Sequence, residues 1–117
     1  MTRLVICGPM RSLPHYNAPA FESAAARLRA AGYEVVSPVE MDRAAGFDHY
    51  RDTATAAQVR EFQAAFLATI AGSDGLALLP GWEKSEGVHW EIMRAIECGK
   101  PYVTVEAWVG LTKKETR

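Results

Sequence analysis

Residues 73–91, SDGLALLPGWEKSEGVHWE, limit the possible folds more than any other part of the sequence. The apolar run Gly75–Leu79 predicts a buried strand, and the Pro-Gly pair after it predicts the turn that ends this strand. Ser85 is a favourable N-cap for the helix that follows, and Glu91 lies within the first two turns of that helix. A strand that leads directly into a helix start brings free backbone N–H groups, which attract anions, and a carboxylate to one edge of a sheet.

Strand-like and helix-like segments alternate along the rest of the chain. Apolar runs predict three further strands: Arg3–Cys7, Tyr33–Ser37 and Tyr102–Val105. Helical periodicity predicts three helices: Pro19–Ala31, Ala56–Ala71 and Ser85–Cys98. The last helix is expected to bury a stripe of four residues: Val88, Ile92, Ala95 and Ile96. This alternation predicts a parallel sheet of four or five strands with helices on both faces.

The connecting segments carry less information. Val39–Thr55 has no clear period, and it fits a functional lid or specificity loop as well as an irregular connection or a broken helix. Glu106–Gly110 either extends the last strand or forms an edge element. The polar tail, residues 111–117, is expected to be mobile. Ligands of parallel sheets bind beyond the carboxyl ends of the strands, so three loops are expected to meet there: Gly8–Asn17, Pro38–Asp48 and Pro80–Gly87.

Length and composition narrow the functional classes. A chain of 117 residues with 49% hydrophobic residues predicts one globular domain. The net charge is −1, and the absence of a basic stripe argues against a nucleic-acid partner. Apolar runs are too short for a membrane helix or a signal peptide, which favours a cytoplasmic protein. Cys7 and Cys98 are interpreted as buried free thiols. The spacing of the three histidines from either cysteine does not match a metal-ligand motif, so no metal or other cofactor is expected. The histidines are His15, His49 and His89.

The loop after the first strand reads Gly-Pro-Met-Arg-Ser, and it matches neither the dinucleotide fingerprint nor the P-loop. Its glycine, Gly8, lets the backbone approach a ligand, and Arg11 is suited to a phosphate or carboxylate. The alternative is a plain turn with a surface arginine. Asn17 is expected to cap the helix that follows, and Arg11 and Asn17 are both expected to contact the substrate.

The start of the last predicted helix offers two readings. Ser85 and Gly87 fit an anion site, but Ser85 also makes a good N-cap without any ligand. Glu91 near a helix start suits the helix dipole, whereas shelter from water by Trp82 and the strand end would raise its pKa. Asp74 begins its strand at the opposite edge of the sheet, so its expected role is to cap the turn.

Three segments together resemble the small DUF4406 family of phage and bacterial genomes: ICGPM, NAPAFESAAARLRAAGYEVVSPVE and SDGLALLPGWEKSEGVHWE. That family is similar to the nucleoside 2-deoxyribosyltransferases and the deoxynucleoside 5'-monophosphate N-glycosidases. The resemblance covers Leu4 to about Val105 and implies a flavodoxin-like fold. It also implies that Glu91 is a nucleophile that attacks the anomeric carbon and forms a deoxyribosyl-enzyme intermediate.

The resemblance further implies substrate contacts and shows two departures. Sugar and base are expected to contact Gly8, Pro9 and Met10, and a 5'-phosphate to bind at Ser85 and Gly87. The transferases carry a tyrosine in the first strand, where this chain has Val5 and Ile6. They also carry an acid before the position of Asp74, where this chain has Phe66 and Leu67. A replacement acid is expected from the long loop or from a neighbouring subunit, and the loop candidates are Asp48, His49 and Tyr50.

The expected function is therefore cleavage or transfer of the N-glycosidic bond of a deoxynucleoside or its 5'-monophosphate. Tyr16 and Trp82 are expected to form the walls of the base site. The alternative is a nucleotide-binding module without catalysis. A homo-oligomer is expected in either case, with an exposed Trp108 and the aromatic residues of the helix from Ala56 available for an interface.

Overall fold

A parallel sheet lies at the centre of the molecule. The computed structural model describes the backbone of residues 1–115 and the side chains of residues 1–111. The strands are β1 (Arg3–Cys7), β2 (Glu34–Val36), β3 (Gly75–Leu78) and β4 (Tyr102–Thr104). Within the described residues they form one four-stranded, all-parallel sheet in the order β2-β1-β3-β4. The predicted flavodoxin-like α/β fold is confirmed.

Five α-helices connect and cover the strands in the described part of the chain. They are α1 (Ala18–Ala30), α2 (Pro38–Ala44), α3 (Ala56–Leu67), α4 (Glu86–Glu97) and α5 (Val105–Glu115). Short 3-10 turns occupy Pro14–Asn17, Ile70–Gly72 and Trp82–Lys84. Local sequence explains several helix starts, because Thr55 and Gln58 form a capping box before α3 and Ser85 caps α4.

The two faces of the sheet bury different helices. Side chains alternate across a strand, so Leu4 and Ile6 of β1 pack with α1 and α5, whereas Val5 and Cys7 pack with α3 and α4. All four of these side chains are completely buried. Because both faces are covered, β1 and β3 are continuous apolar runs rather than alternating ones. The prediction of helices on both faces is confirmed.

The order of the strands reverses beside β1, which lies between β2 and β3. The chain moves outward from β1 to β2 and then returns to the other side of β1 for β3. This arrangement leaves a crevice at the carboxyl ends of β1 and β3, where ligands of such sheets bind. The two strand ends are joined by a hydrogen bond in which the Leu79 N–H donates to the Cys7 carbonyl at 2.8 Å.

The segment after β2 differs from the expected irregular loop. Pro38 is the first residue of α2 and does not merely end a strand. Its ring fixes φ at a helical value, and the first residue of a helix needs no N–H because no intrahelical acceptor is available there. Residues 45–55 then follow as turns and irregular backbone. The structure therefore favours the broken-helix reading for the first half of the segment.

The C-terminal segment also departs from the prediction. Glu106–Gly110 is neither a strand extension nor an edge element, because α5 begins at Val105, where Thr104 Oγ1 accepts a hydrogen bond from the Ala107 N–H at 3.1 Å. The helix continues to Glu115, so the backbone of residues 111–115 is helical. Residues 116–117 lie outside the described residues.

Two predicted side-chain environments are also wrong. Trp108 is not exposed, because its ring packs against the α1 face and its Nε1 donates to the Leu76 carbonyl at 2.8 Å. Ile96 is 59% exposed rather than part of the buried stripe of α4. The buried stripe instead contains Glu91, together with Val88 and Ala95. A carboxylate thus takes a place that helical periodicity alone assigns to an apolar residue.

Candidate functional site

A cavity of about 520 Å³ opens at the carboxyl ends of β1 and β3. The loop after β1 forms one part of its wall, the starts of α2 and α4 form others, and α3 closes the side. Four predicted site residues of the first loop line it: Gly8, Pro9, Met10 and Arg11. Five more predicted residues line it from elsewhere in the chain: Tyr16, His49, Ser85, Gly87 and Glu91. The structure thus brings together most of the residues that the sequence selected.

Glu91 is the buried acid of this cavity. Its side chain lies on the inward face of α4, and the residue is only 9% exposed. Burial raises the pKa of its carboxyl group from 4.5 to about 7, while a hydrogen bond from the Cys7 thiol acts in the opposite direction. A carboxylate with this pKa is ionised in a large fraction of molecules near neutral pH, and few water molecules compete for it. It is therefore suited to act as a nucleophile or a base.

Cys7 is a neighbour of Glu91 that the sequence did not assign to the site. Its thiol is completely buried at the end of β1, and burial followed by the charge of Glu91 raises its pKa well above 9.0. The thiol therefore stays protonated beside the carboxylate, and its Sγ also lies 3.8 Å from a second acceptor, the Val5 carbonyl oxygen. Strand alternation gives the signal for this contact, because Cys7 points to the same face as Val5 and α4. The predicted free and buried state of Cys7 is confirmed, whereas Cys98 is free but only partly buried.

The start of α4 presents donors to the same cavity. Ser85 Oγ accepts a hydrogen bond from the Val88 N–H at 3.3 Å, so the N-cap role predicted for Ser85 is confirmed. The N–H groups of Glu86 and Gly87 belong to the first turn, where no preceding turn provides carbonyl acceptors. Lys84 also lines the cavity beside this helix start. Backbone donors and a cation therefore face one region of the cavity, which suits an anionic group.

Gly8 has a structural reason to be a glycine. A Cβ atom on Gly8 would lie 2.7 Å from the Cβ of Leu79, which is closer than such atoms approach in proteins. Gly87 is different, since a Cβ there would meet nothing nearer than Gln63 Nε2 at 3.8 Å. The absence of a side chain at Gly87 is thus not required by the packing of the protein itself.

The loop before α1 holds an unusual backbone conformation. Four residues other than glycine have a positive φ between 54° and 65°: Ser12, His15, Tyr16 and Asn17. The Asn17 side chain does not cap α1 as predicted; its Nδ2 donates to the Pro9 carbonyl at 3.0 Å and so braces the loop. Tyr16 is fixed by its hydroxyl, which accepts a hydrogen bond from the Ala54 N–H at 2.9 Å. Left-handed conformations of such residues cost energy and are concentrated at functional sites.

Asp42 and His49 form a buried pair in the wall of the same cavity. Asp42 Oδ2 lies 3.0 Å from His49 Nε2, and the two side chains are 10% and 1% exposed. Burial raises the pKa of Asp42 above 3.8, and the histidine partly counteracts this rise. The rings of Tyr16 and Phe47 pack edge-on against the imidazole. This pair was not recognised from the sequence, because only the fold brings α2 and the turn after it together at this wall.

Several predicted site residues lie away from the cavity. Trp82 lines a separate cavity beside Pro80 and packs against the core, so its position gives no support to a role as a wall of the base site. Asp48 accepts a hydrogen bond from the Tyr50 N–H at the surface. Asp74 lies at the amino-terminal edge of the sheet, where its Oδ2 accepts from the Arg3 N–H at 2.8 Å. Asp74 therefore lies at the expected edge, but its carboxylate binds β1 rather than the turn at Ser73, whose own hydroxyl donates to the Ile70 carbonyl at 2.7 Å.

The structure also adds wall residues that carried no sequence signal of their own: Asp42, Phe47, Phe62, Gln63, Lys84 and Trp90. Phe66 lines the cavity as well and is 4% exposed, so an apolar ring faces the site from α3. Among the described residues, no group of three or more acidic, histidine or cysteine side chains is arranged to hold a metal ion. None of the described helices has both the length and the apolar character needed to cross a membrane.

The fold and the cavity define an α/β protein with a ligand-sized site at the switch point of a parallel sheet. The family model described as Domain of unknown function (DUF4406) matches residues 2–104. The chain therefore belongs to the DUF4406 family, as its motifs predicted. No curated protein matches the chain.

Proposed function

We propose that this protein cleaves the N-glycosidic bond of a deoxynucleoside or a deoxynucleoside 5'-monophosphate, with Glu91 as the nucleophile. Glu91 attacks the anomeric carbon, the base leaves, and water or a second base then releases the sugar from the carboxylate. The observation that carries the proposal is the burial of the Glu91 carboxylate beside a cavity of about 520 Å³, with its pKa raised to about 7. The segment from Gly87 to Glu91 has the Gly-x-x-x-Glu spacing of the deoxyribosyltransferase motif. This resemblance also supports Glu91 as the nucleophile.

The phosphate of a monophosphate would lie at the start of α4. Support comes from the free N–H groups of Glu86 and Gly87 and from Lys84 and Arg11, which both line the cavity. Gly87→Ala tests this placement well, because the added Cβ meets no protein atom within 3.8 Å. We expect unchanged thermal stability but about a tenfold higher KM for the monophosphate, which corresponds to about 1.4 kcal/mol of binding. An equal effect on the nucleoside would contradict a phosphate site here.

A nucleotide-binding module without catalysis is the second candidate. Phe66 favours it, because an apolar ring lines the cavity where the related enzymes have an acid. A pKa of about 7 also leaves a large fraction of Glu91 protonated, and therefore poorly nucleophilic, near neutral pH. In this case the protein sequesters or senses a nucleotide.

One experiment separates the two candidates. Purified protein is incubated with a panel of deoxynucleosides and their 5'-monophosphates, and free base is measured by chromatography. Glu91→Gln, which keeps the shape of the side chain, should lower base release on the order of 10⁴-fold, because loss of a nucleophile removes the covalent route. Absence of release by wild type, together with thermal stabilisation of both proteins by one nucleotide, would instead establish the binding module.

We further propose that the protein acts as an assembly of identical chains. Three apolar residues on the outer face of α4 are more than half exposed: Trp90, Met93 and Ile96. Clustered apolar side chains on a surface favour association, and Trp90 also lines the mouth of the cavity. Light scattering of wild type and Met93→Glu tests this proposal. The variant should be monomeric, and a monomeric wild type would refute it.

A further inference from the structure

Cleavage of an N-glycosidic bond needs a proton for the departing base as well as a nucleophile. General acid catalysis of this kind contributes about 10²–10⁴-fold in rate. Phe66 cannot donate a proton, and the cavity holds few other candidates. Asp48 and Tyr50 do not line the cavity, and the Tyr50 hydroxyl is bound to Glu22. Of the three loop residues expected to replace the missing acid, only His49 is a wall residue.

His49 has one nitrogen occupied and one without a partner. Nε2 lies 3.0 Å from Asp42 Oδ2, and because an ionised carboxylate only accepts hydrogen bonds, Nε2 carries a proton. Nδ1 is buried and has no hydrogen-bond partner among the described residues. Buried polar atoms are nearly always paired in native proteins, so an unpaired nitrogen in the wall of a cavity points to a ligand atom as its partner.

His49 is held beside an acid and away from bulk water. Its Nε2 lies 3.0 Å from the Asp42 carboxylate, and the side chains of both residues are almost fully removed from water. Glu91 lines the same cavity from α4. A sugar held in this cavity would meet both a nucleophile and a proton donor.

We propose that His49, held in place by Asp42, is the catalytic acid that protonates the departing base. The inference rests on the proposed glycosidase activity and identifies the acid that completes it. A Glu91 oxygen forms a bond to the anomeric carbon while the carbon–nitrogen bond breaks and its electron pair stays with the base. The proton on His49 Nδ1 moves to the base, which leaves neutral, and His49 becomes neutral.

The second half of the reaction returns the proton. Water forms a bond to the anomeric carbon, the bond from this carbon to Glu91 breaks, and its electron pair restores the carboxylate. His49 Nδ1 takes the proton that the water loses, and the imidazolium form is regenerated. The sum is base release by one water molecule, with no other co-reactant required.

Movement of the Tyr16 loop would bring Nδ1 into contact with the base. The Tyr16 ring packs edge-on against His49 with their centroids 5.9 Å apart. Tyr16 lies in the run of left-handed residues, and the hydrogen bond from the Ala54 N–H to its hydroxyl would have to break for the loop to shift.

The test compares two substrates that differ in their need for a proton. For a purine, these are the natural deoxynucleoside 5'-monophosphate and its N7-methyl form, whose base already carries the positive charge and leaves neutral without protonation. For a pyrimidine, the 5-fluoro form, with its less basic leaving group, replaces the N7-methyl form. The variant is His49→Gln, which keeps hydrogen-bonding capacity but cannot transfer a proton. The ratio of the two rates within one protein sample does not depend on how much of that sample is folded.

We expect His49→Gln to lower kcat for the natural substrate about 100-fold or more, and kcat for the activated substrate less than about tenfold. Equal losses on both substrates would assign His49 a purely structural role, and unchanged rates would remove it from the reaction, so either result overturns the inference. In both cases wild type remains active. Failure of the proposed function itself is recognised separately, because wild type then releases no base from either substrate.

Asp42 is a positioning residue in this scheme, and Asp42→Asn tests it. We expect lower kcat with little change in KM for the natural substrate, and a smaller loss on the activated one. Long-range proton–nitrogen NMR spectra of the histidine ring provide an independent readout, because Asp42→Asn should change the protonation of Nδ1 and Nε2. An unchanged ring spectrum would show that Asp42 does not control the state of His49.

Discussion

Two walls of the cavity, one formed by α4 and the other by α2, each hold a buried carboxylate, but the two carboxylates differ in their partners. Glu91 extends from the regular helix α4 into a buried position, where the Cys7 thiol, a weak donor, is its partner among the described residues. Asp42 lies on the short helix α2 at a similarly buried position, but it is paired with the imidazole of His49 at 3.0 Å. One acid is buried almost without compensation, and the other is buried with a partner that can carry a positive charge.

The difference teaches how burial acts on an ionisable group. Desolvation raises the pKa of both Glu91 and Asp42, but only Asp42 has a basic partner that lowers it again. Removing the charge of Glu91 should therefore stabilise the protein, whereas removing the partner of Asp42 should destabilise it. On the α4 wall, the buried Glu91 carboxylate lowers the stability of the fold. On the α2 wall, Asp42 and His49 form a hydrogen-bonded pair, and His49 Nδ1 has no hydrogen-bond partner among the described residues.

The largest change in stability is expected from His49→Leu. The substitution leaves the Asp42 carboxylate buried without its partner, which typically costs about 3–5 kcal/mol. The loss should become smaller as the pH falls and Asp42 accepts a proton. Urea unfolding at two pH values measures both effects. Arg51→Leu, which removes an exposed ion pair with Asp48 at 3.8 Å on the same loop, is the control and should change little.

Glu91→Gln should stabilise the protein in a pH-dependent way. A rise in pKa from 4.5 to about 7 corresponds to about 3 kcal/mol. Between these pH values the native state binds more protons than the unfolded state, so the stability of wild type falls as the pH rises through this window. The gain from Gln is thus expected to be small at pH 4 and about 3 kcal/mol at pH 8.

Urea unfolding across this pH range checks the gain, with Glu97→Gln at an exposed position of the same helix as the control. The control should show no gain of this size. A Glu91→Gln protein no more stable than wild type at pH 8 would mean that the Glu91 carboxylate is well solvated or paired in solution, and the contrast between the two walls would fail.

Gly8→Ala tests the close packing of Gly8, after β1, against Leu79, after β3. An added Cβ would lie 2.7 Å from the Leu79 side chain, so the end of β1 and the residue after β3 must move apart. Overpacking of this kind typically costs about 1–3 kcal/mol. Gly72→Ala is the matched control, because a Cβ there meets nothing within 4 Å. Equal melting temperatures for the two variants would show that the backbone at Gly8 and Leu79 can move apart without loss of stability.

Ser85→Ala is expected to have the smallest effect. It removes the cap at the start of α4, whose loss typically costs about 1 kcal/mol. Thr55→Ala at the start of α3 should cost at least as much, because a complete capping box is lost there. Thermal unfolding of both variants checks the order. A markedly larger effect at Ser85 would indicate that the Glu91 wall depends on its cap more than on packing.

The sequence predicted the Glu91 wall far better than the wall formed by Asp42 and His49. Gly75–Leu79 and the helix after it are contiguous, and each shows its own period, so their meeting at one sheet edge follows from chain order. Asp42 and His49 lie in a segment with no period, and their pairing depends on where α2 packs. Cys7 was read correctly as a buried thiol, but its contact with Glu91 depends on the register between β1 and α4.

By itself, then, the sequence determined the parallel α/β architecture, the position of Glu91 just inside a helix and the cap at Ser85. These features depend on local periodicity, turn residues and hydrogen bonds between near neighbours, which a linear pattern records. Only the tertiary structure decided that Trp82 lies outside the cavity, that Trp108 is packed and that His49 faces the site with Asp42 behind it. Such features depend on contacts between distant segments, and their energies appear only after the sheet and its helices have assembled.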